Sequence, residues 1–422
     1  MGAAVGGGQL KVAVARSLGR MFQRRPGALS RVRPVALLNL GIWVAALASL
    51  FFRLYRDATR PPVFDDLQPV WTGVRHFLHH EPVYELHTNL QNYLYPPSSL
   101  LLLLPLAAFD LHQLKLVFLV VEAASMFLAA AWSLRIVHIP WSPRNLGLLL
   151  LGVTVFEPAR VLFDVQNLDA VAVLGEVLAL LAMSRGRWLM GGAVLALTLS
   201  VKPVVLPLLL IPLLLRRWAA VGVAAAVALT LTAVGLTLTT DARSFLTTTM
   251  PHLVQGNGPF LRSWNTSLIG AASLLGLPAA AANMLRLIVL TAVAILVGRS
   301  FQQSDDEGLK IVQLSGFLML ATVLCFSFSF EHYLIYLLPF LVSLVRRDWG
   351  LNRGFALVGV LCISLPDLPG QLLHSATLFW IGRLFYTVGG LMLLAAFWGR
   401  MVGGGDDARR QAMAESGGAV AG

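Results

Sequence analysis

Between Val35 and Trp398 the chain is a succession of apolar runs, and most of the polar breaks between them carry paired or clustered basic residues. Backbone amides cannot go unpaired in lipid, so runs of this kind fold as helices that close their own hydrogen bonds. Only 13% of the 422 residues are charged and 57% are hydrophobic, where soluble domains carry about 25% charged residues. Together with a mean hydropathy of +0.74, this excludes a disordered chain, a coiled coil and a disulfide scaffold. The expected fold class is an all-α polytopic membrane protein, a bundle of about 12 transmembrane helices with interfacial helices on its outer face.

A net charge of +11 is compatible with nucleic-acid binding, but the basic residues flank apolar runs instead of sharing one polar face, which is how membrane orientation is written. Residues 1–33 hold Lys11, Arg16, Arg20, Arg24, Arg25, Arg31 and Arg33 and no acid, so they read as a basic cytoplasmic tail. A first helix over 34–53 then crosses outward; Ala46-Leu47-Ala48 resembles a cleavage site, but the apolar run continues through it, as in an uncleaved anchor. Placing the later clusters inside as well, from Arg135 and Arg144 to Arg216-Arg217, Arg346-Arg347 and Arg400, gives spans near 115–134, 145–159, 168–184, 188–201, 203–216, 219–239, 283–299, 310–327, 333–345, 354–366 and 376–398. Both termini are then cytoplasmic, 34–398 forms one membrane domain, and 399–422 is a flexible tail. Ser98 to Phe109 and Ser267 to Leu277 are too short to cross and read as interfacial or re-entrant helices. Two long outer loops, 53–114 and 240–282, are where function should lie. Cys325 and Cys362 sit inside apolar segments and lack metal-ligand or disulfide spacing.

The first outer loop contains Asp65-Asp66, then Tyr84, His87 and Tyr93-Leu94-Tyr95-Pro96-Pro97. One of two adjacent carboxylates can take a proton from an incoming hydroxyl while its neighbour tunes it or binds substrate; solvated acids capping a short helix give the same pattern. Tyr95-Pro96-Pro97 reads equally as an extended lead into a helix starting at Ser98. Lys202-Pro203, at the outward junction of two apolar helices, suits a lipid phosphate or an interfacial lysine. Asp164, Gln166, Asn167 and Asp169 cluster at an outer helix start, where they can bind sugar hydroxyls or cap the helix. In the second loop His252, Gln255, Asn257, Arg262, Trp264, Asn265 and Ser267 mix aromatic, amide and guanidinium groups, as carbohydrate and phosphate recognition requires, although polar loops share that composition. Glu331-His332-Tyr333 lies between two apolar helices, with His332 either an interfacial hydrogen-bonding residue or an acid, base or phosphate partner. No glycine-rich phosphate loop and no zinc spacing occurs, which disfavours nucleotide hydrolysis and directs attention to a lipid-linked donor.

In this order, Asp65-Asp66, Tyr95-Pro96-Pro97, Lys202-Pro203, the Ser263 to Ser267 stretch and His332-Tyr333 resemble glycosyltransferase family 87, of the GT-C type, over roughly Phe64 to Phe340. Within it, Leu67-Gln68-Pro69-Val70-Trp71 after the double Asp, with Tyr84, His87 and Tyr93 to Pro97, looks most like the actinobacterial arabinofuranosyltransferases that place α-(1→3) branches in cell-wall arabinan. That resemblance implies decaprenyl-phosphoryl arabinofuranose as donor, arabinan or a lipid-linked glycan as acceptor, an inverting reaction and no cofactor or metal. Family mannosyltransferases share the frame and pair an outer-loop Asp with a late His, as His332 does here. The expected roles are Asp65 or Asp66 as base with His332 assisting, Lys202 and Arg262 on the donor phosphate, and His87, Tyr95, Gln166, Asn167, Trp264 and Asn265 on the sugars. The site is expected on the extracytoplasmic face of the plasma membrane, among lipids and away from nucleic acid. A lipid-sugar transporter is the rival class; against it, the ionisable groups lie in outer loops and the two halves do not mirror each other. A non-catalytic scaffold for other wall-building enzymes ranks third.

Overall fold

The computed structural model describes residues 26–59, 65–84, 93–255, 264–303, 306–346, 353–364 and 380–398, and every regular element in them is helical. The expectations for 1–25, His87, Arg262 and the tail from 399 onward lie outside the described residues. Six described helices are long and apolar enough to cross a membrane: α1 (Pro26–Thr59, of which Pro34–Thr59 qualifies), α4 (Leu111–Ile136), α10 (Trp218–Leu238), α12 (Ala279–Gln303), α13 (Glu307–Cys325) and α16 (Trp380–Trp398). All six coincide with expected spans. A seventh, expected over 145–159, is a pair of helices, α5 (Pro143–Val155) and α6 (Glu157–Val165), bent by 62°. Pro158 lies in the first turn of α6; it lacks the amide a continuous helix needs there, and the chain turns at Phe156 instead.

The remaining expected spans form shorter pieces. Residues 168–184 and 188–201 fold as α7 (Asp169–Ser184) and α8 (Trp188–Val201), 16 and 14 residues long. At about 1.5 Å per residue these fall short of a 30 Å hydrocarbon core. Residues 203–216 become a 3₁₀ stretch, Pro203–Leu209, followed by α9 (Leu210–Leu214), because Pro207 interrupts the α-helical ladder. Residues 333–345 likewise form a 3₁₀ segment, Glu331–Leu337, and α14 (Leu338–Ser343), and 354–366 forms α15 (Arg353–Ser364). The first helix also starts earlier than expected, reaching back to Pro26 into the basic tail and onward to Thr59.

Burial sorts these helices. α13 is buried along nearly its whole length, and with α4, α7 and the 331–337 segment it makes the central core. α1, α10 and α12 turn most of their apolar surface outward, as lipid-facing helices do. A second, smaller core joins the long loop after α1 to the bundle. There α2 (Leu67–Leu78) presents Leu67, Val70 and Val74 at helical spacing to Tyr84, Tyr93, Leu100, Leu114, Phe118 and Leu168. The short apolar segment expected at Ser98–Phe109 is α3 (Pro97–Leu103) with a 3₁₀ continuation, Leu104–Ala108; the segment after Ser267 is α11 (Leu268–Leu274), capped by the Ser267 hydroxyl.

α4 links two chemically different ends. At its start Lys115 meets Asp65; after its end, Val137 O and Asp306 both bind Arg346, and Glu307 pairs with Arg217. The basic clusters Arg135, Arg144, Arg216-Arg217 and Arg346 therefore share the end opposite Asp66.

Candidate active site

The site is assembled where helices begin or break. Asp66 precedes the first turn of α2, and its backbone N–H donates to Val165 O at 2.9 Å, which pins α2 to the end of α6. α6 stops because Gln166 takes a left-handed conformation, φ 53°. This lets the chain reverse into α7 and carries Asn167 toward Asp66. The Asn167 side chain bridges: Nδ2 donates to Asp66 Oδ2 at 2.6 Å, while Oδ1 accepts from the Asp169 backbone N–H at 3.1 Å and from the Tyr95 hydroxyl at 3.4 Å. Gln166 is buried beside it and its Oε1 has no protein partner, an acceptor available to a hydroxyl of a ligand.

Beyond Asn167 lies a buried ionic group. Asp169, with no exposed surface, binds Lys202 Nζ at 2.8 Å and the Tyr336 hydroxyl at 2.7 Å through Oδ1, while its Oδ2 lies 3.3 Å from His332 Nε2 without a hydrogen bond in this geometry, close enough to pair with the ring once it is protonated. Lys202 sits 4.8 Å from the Tyr95 ring centre and 5.8 Å from that of Tyr333, and His332 stacks on Phe330. Lys202 reaches this position because α8 ends at it and Pro203 prevents continuation.

Burial pushes the Asp66 carboxyl above the ordinary carboxylate range, against the pull of His332, the Asn167 hydrogen bond and Lys202. Burial also pulls the His332 imidazole below its usual value, opposed by Asp169, Asp66 and Glu331. Burial raises the Tyr95 hydroxyl too, helped by Asp169 and Asp66, so it stays a neutral donor. A carboxyl raised in this way is a stronger base than an ordinary carboxylate.

Asp65 is differently engaged. Its Oδ1 caps the Gln68 amide at 3.0 Å and its Oδ2 pairs with Lys115 Nζ at 2.5 Å, a structural role that separates it from its neighbour. Asp164 closes α6, where it pairs with Arg56 and, at 2.7 Å, with Arg160; it belongs to a helix-end ion network and not to the helix start expected from sequence. Asn265 is likewise committed. Its Nδ2 donates to Ser327 O at 2.9 Å and its Oδ1 accepts from the Ser267 and Ser329 amides, so it braces a turn and keeps one Nδ2 hydrogen for a further acceptor. Trp264 carries the Arg383 guanidinium 4.2 Å from its ring centre.

Several participants carried no signal strong enough to earn a role from sequence. Arg383, on α16, forms a buried bidentate pair with Glu331. Tyr336 and Lys115 stand in apolar helical segments. Asp169 was visible only as one member of a polar cluster. Glu122 is fully buried in the middle of α4, with its carboxylate toward the Asn167 backbone amide; an acid in an apolar run is itself a functional signal. Among the described residues no three His, Cys, Asp or Glu side chains gather as a metal site would require.

Residues 93–327, more than half the chain and including Tyr95, Asn167, Asp169 and Lys202, match glycosyltransferase family 87. The chain belongs to glycosyltransferase family 87. It is similar to the α-(1→3)-arabinofuranosyltransferase of Mycobacterium tuberculosis (strain CDC 1551 / Oshkosh), 29% identical over 359 residues that cover 83% of this chain and 81% of the relative. The Corynebacterium glutamicum protein of the same name is 25% identical over 85% of this chain and 86% of its own length. A polyprenol-phosphate-mannose-dependent α-(1-2)-phosphatidylinositol pentamannoside mannosyltransferase of Mycolicibacterium smegmatis is 28% identical over 72% of this chain and 74% of its own. As a family 87 member with several membrane-length helices, the chain is a multi-pass membrane glycosyltransferase.

Proposed function

We propose that the protein moves arabinofuranose from decaprenyl-phosphoryl arabinose to cell-wall arabinan, forming α-(1→3) branches with inversion and without a metal. The observation that carries the reading is the raised, Asn167-held Asp66 carboxyl facing buried Lys202 and His332, in a family 87 chain whose arabinosyl relatives align over more of it than the mannosyl one. In this reading the acceptor hydroxyl gives its proton to Asp66 as its oxygen attacks the anomeric carbon. The bond from that carbon to the donor phosphate breaks, and its electron pair leaves on the phosphate. Lys202, with Arg262, offsets the charge developing there, and His332 assists. Tyr95, Gln166, Asn167 and Trp264 contact the sugars, with His87 from the same loop.

The active site faces the extracytoplasmic side in this reading and both termini are cytoplasmic, because the basic clusters share the end of the bundle opposite Asp66. Mannose from a polyprenyl phosphate is the second reading, favoured by the late His332 and by the mannosyl relative.

The test is transfer of radiolabelled sugar by the purified protein, with decaprenyl-phosphoryl arabinose and decaprenyl-phosphoryl mannose offered in parallel to arabinan and phosphatidylinositol-mannoside acceptors, in EDTA. Arabinose incorporation is expected. Mannose incorporation alone moves the protein to the sibling activity with the chemistry intact. Incorporation of neither sugar, with flux of the lipid-linked sugar across proteoliposomes, makes it a transporter.

A further inference from the structure

Asp169 has the wrong surroundings for a base and the right ones for an organiser. It opens the 16-residue helix α7, where the helix dipole favours a negative charge, and it is wholly enclosed. Its partners arrive from two distant segments, Lys202 from the end of α8 at 2.8 Å and both His332 and Tyr336 from the 331–337 turn at 3.3 and 2.7 Å. The same Asn167 side chain that donates to Asp66 accepts from the Asp169 backbone amide. The two carboxylates thus face the same lysine and histidine, Lys202 and His332.

We propose that Asp169 is the positioning residue of the transfer reaction, holding His332 and Lys202 in the orientation from which they meet the departing phosphate. This rests on the transferase reading above. The arrangement follows the logic of a buried aspartate behind a working histidine, which fixes the ring through one nitrogen and stabilises the imidazolium through its charge. With Nε2 turned to Asp169, Nδ1 is the ring nitrogen left for a ligand. The charged or titratable groups facing His332 are Asp169, Asp66, Glu331 and Lys202, with Tyr333 against its ring; Glu331 is itself neutralised by Arg383. Of the three acids that sustain the His332 proton, Asp169 contributes most. Removing its charge lowers the proton affinity of His332 further, and it relieves a repulsion that raises Asp66.

The experiment measures kcat, donor KM and their pH profiles for wild-type and Asp169→Asn full-length protein, with the radiolabelled polyprenyl-phosphate sugar that the wild type uses. Asparagine keeps the Oδ1 acceptor for Tyr336 and Lys202, loses the charge, and puts an NH2 in place of the oxygen that faces His332. The expected result is a kcat about 100-fold lower with donor KM unchanged or reduced, since Lys202 is freed of its ion pair. The alkaline limb should move down by about one pH unit or more, and the acidic limb should also move down. A kcat within about threefold of wild type, or a uniform loss with both limbs in place, overturns the proposal. If Asp169→Asn does not fold, Asp169→Glu carries the test: the charge remains but is displaced, so kcat falls at least about tenfold with the limbs unmoved, and a wild-type rate overturns it. A wild type that transfers no sugar instead sinks the functional reading on which this one stands.

Discussion

Asp65 and Asp66 are neighbours in sequence with opposite surroundings, and substitution should separate them. Asp66→Asn is expected to lower transfer by about 10³-fold, within the range of a lost general base, while retaining the Asn167 contact. Asp65→Asn loses a cap and an ion pair and should cost about 1 kcal/mol of stability with transfer reduced less than about tenfold. Equal losses in both would remove Asp66 from its role. Stability tells the same two residues apart. The folded Asp66 carboxyl is raised above its unfolded value, so its contribution is fully present below the unfolded value and is lost as pH rises through the folded one. The asparagine does not titrate; melting of Asp66→Asn in detergent should therefore equal or exceed that of wild type at neutral pH, with the difference growing as pH rises. The sequence offered two indistinguishable acids because the residues that divide them, Lys115 and Asn167, come from other helices. Lys202 was legible as an interfacial or phosphate-binding lysine at a proline-bounded junction, but its partner Asp169 stood 33 positions away in a polar cluster with no pairing signal of its own.

Long elements were readable as membrane spans, whereas α7 and α8 were located almost to the residue but taken for full spans they are too short to make. α1, α4, α10, α12, α13 and α16 carry enough consecutive apolar residues to identify themselves as spans, whereas how α7, α8 and the 3₁₀ segments are set among their neighbours is not written in a linear pattern. Those weaker elements hold the site: α7 supplies Asp169, the end of α8 supplies Lys202, and the 331–337 turn supplies His332 and Tyr336. Interrupted helices are useful here because their free ends can gather polar groups near a membrane surface without stranding backbone amides in lipid. Close helix approach fixes the gathered groups. At Gly235, near the end of α10, an added Cβ would stand 2.5 Å from the Pro97 carbonyl carbon, so α10 lies directly against the start of α3 and the Tyr95 segment. Gly235→Leu should force the two apart and destabilise the protein by about 1–3 kcal/mol, with donor KM rising as Tyr95 leaves Lys202. A thermal midpoint in detergent and donor KM both equal to wild type would show that this approach does not set the site.

The whole molecule is polarised. Arginine-rich turns bind one another's acids at one end, through Arg346 with Asp306 and Arg217 with Glu307, while buried carboxylates, tyrosines and Lys202 gather at the other. Sequence charge alone foretold the first end; the second needed the fold, because its members are spread from Asp66 to Tyr336. α10 begins beside Arg217 and ends where Thr240 bonds Glu81 O and Asp241 accepts from the Val83 and Tyr84 amides, so the turn after α2 lies at the Asp66 end. If the positive-inside rule governs this chain, that turn faces outward and the Arg144 turn faces the cytoplasm. In a Cys325→Ser, Cys362→Ser background, His80→Cys, an exposed position in the first turn region, should react with an impermeant maleimide on intact spheroplasts; Arg144→Cys, exposed at the other end, should react only after lysis. The reverse pattern would put the site in the cytoplasm, where a nucleotide-linked donor is at hand, and the argument for a lipid-phosphate donor would then rest on the relatives alone.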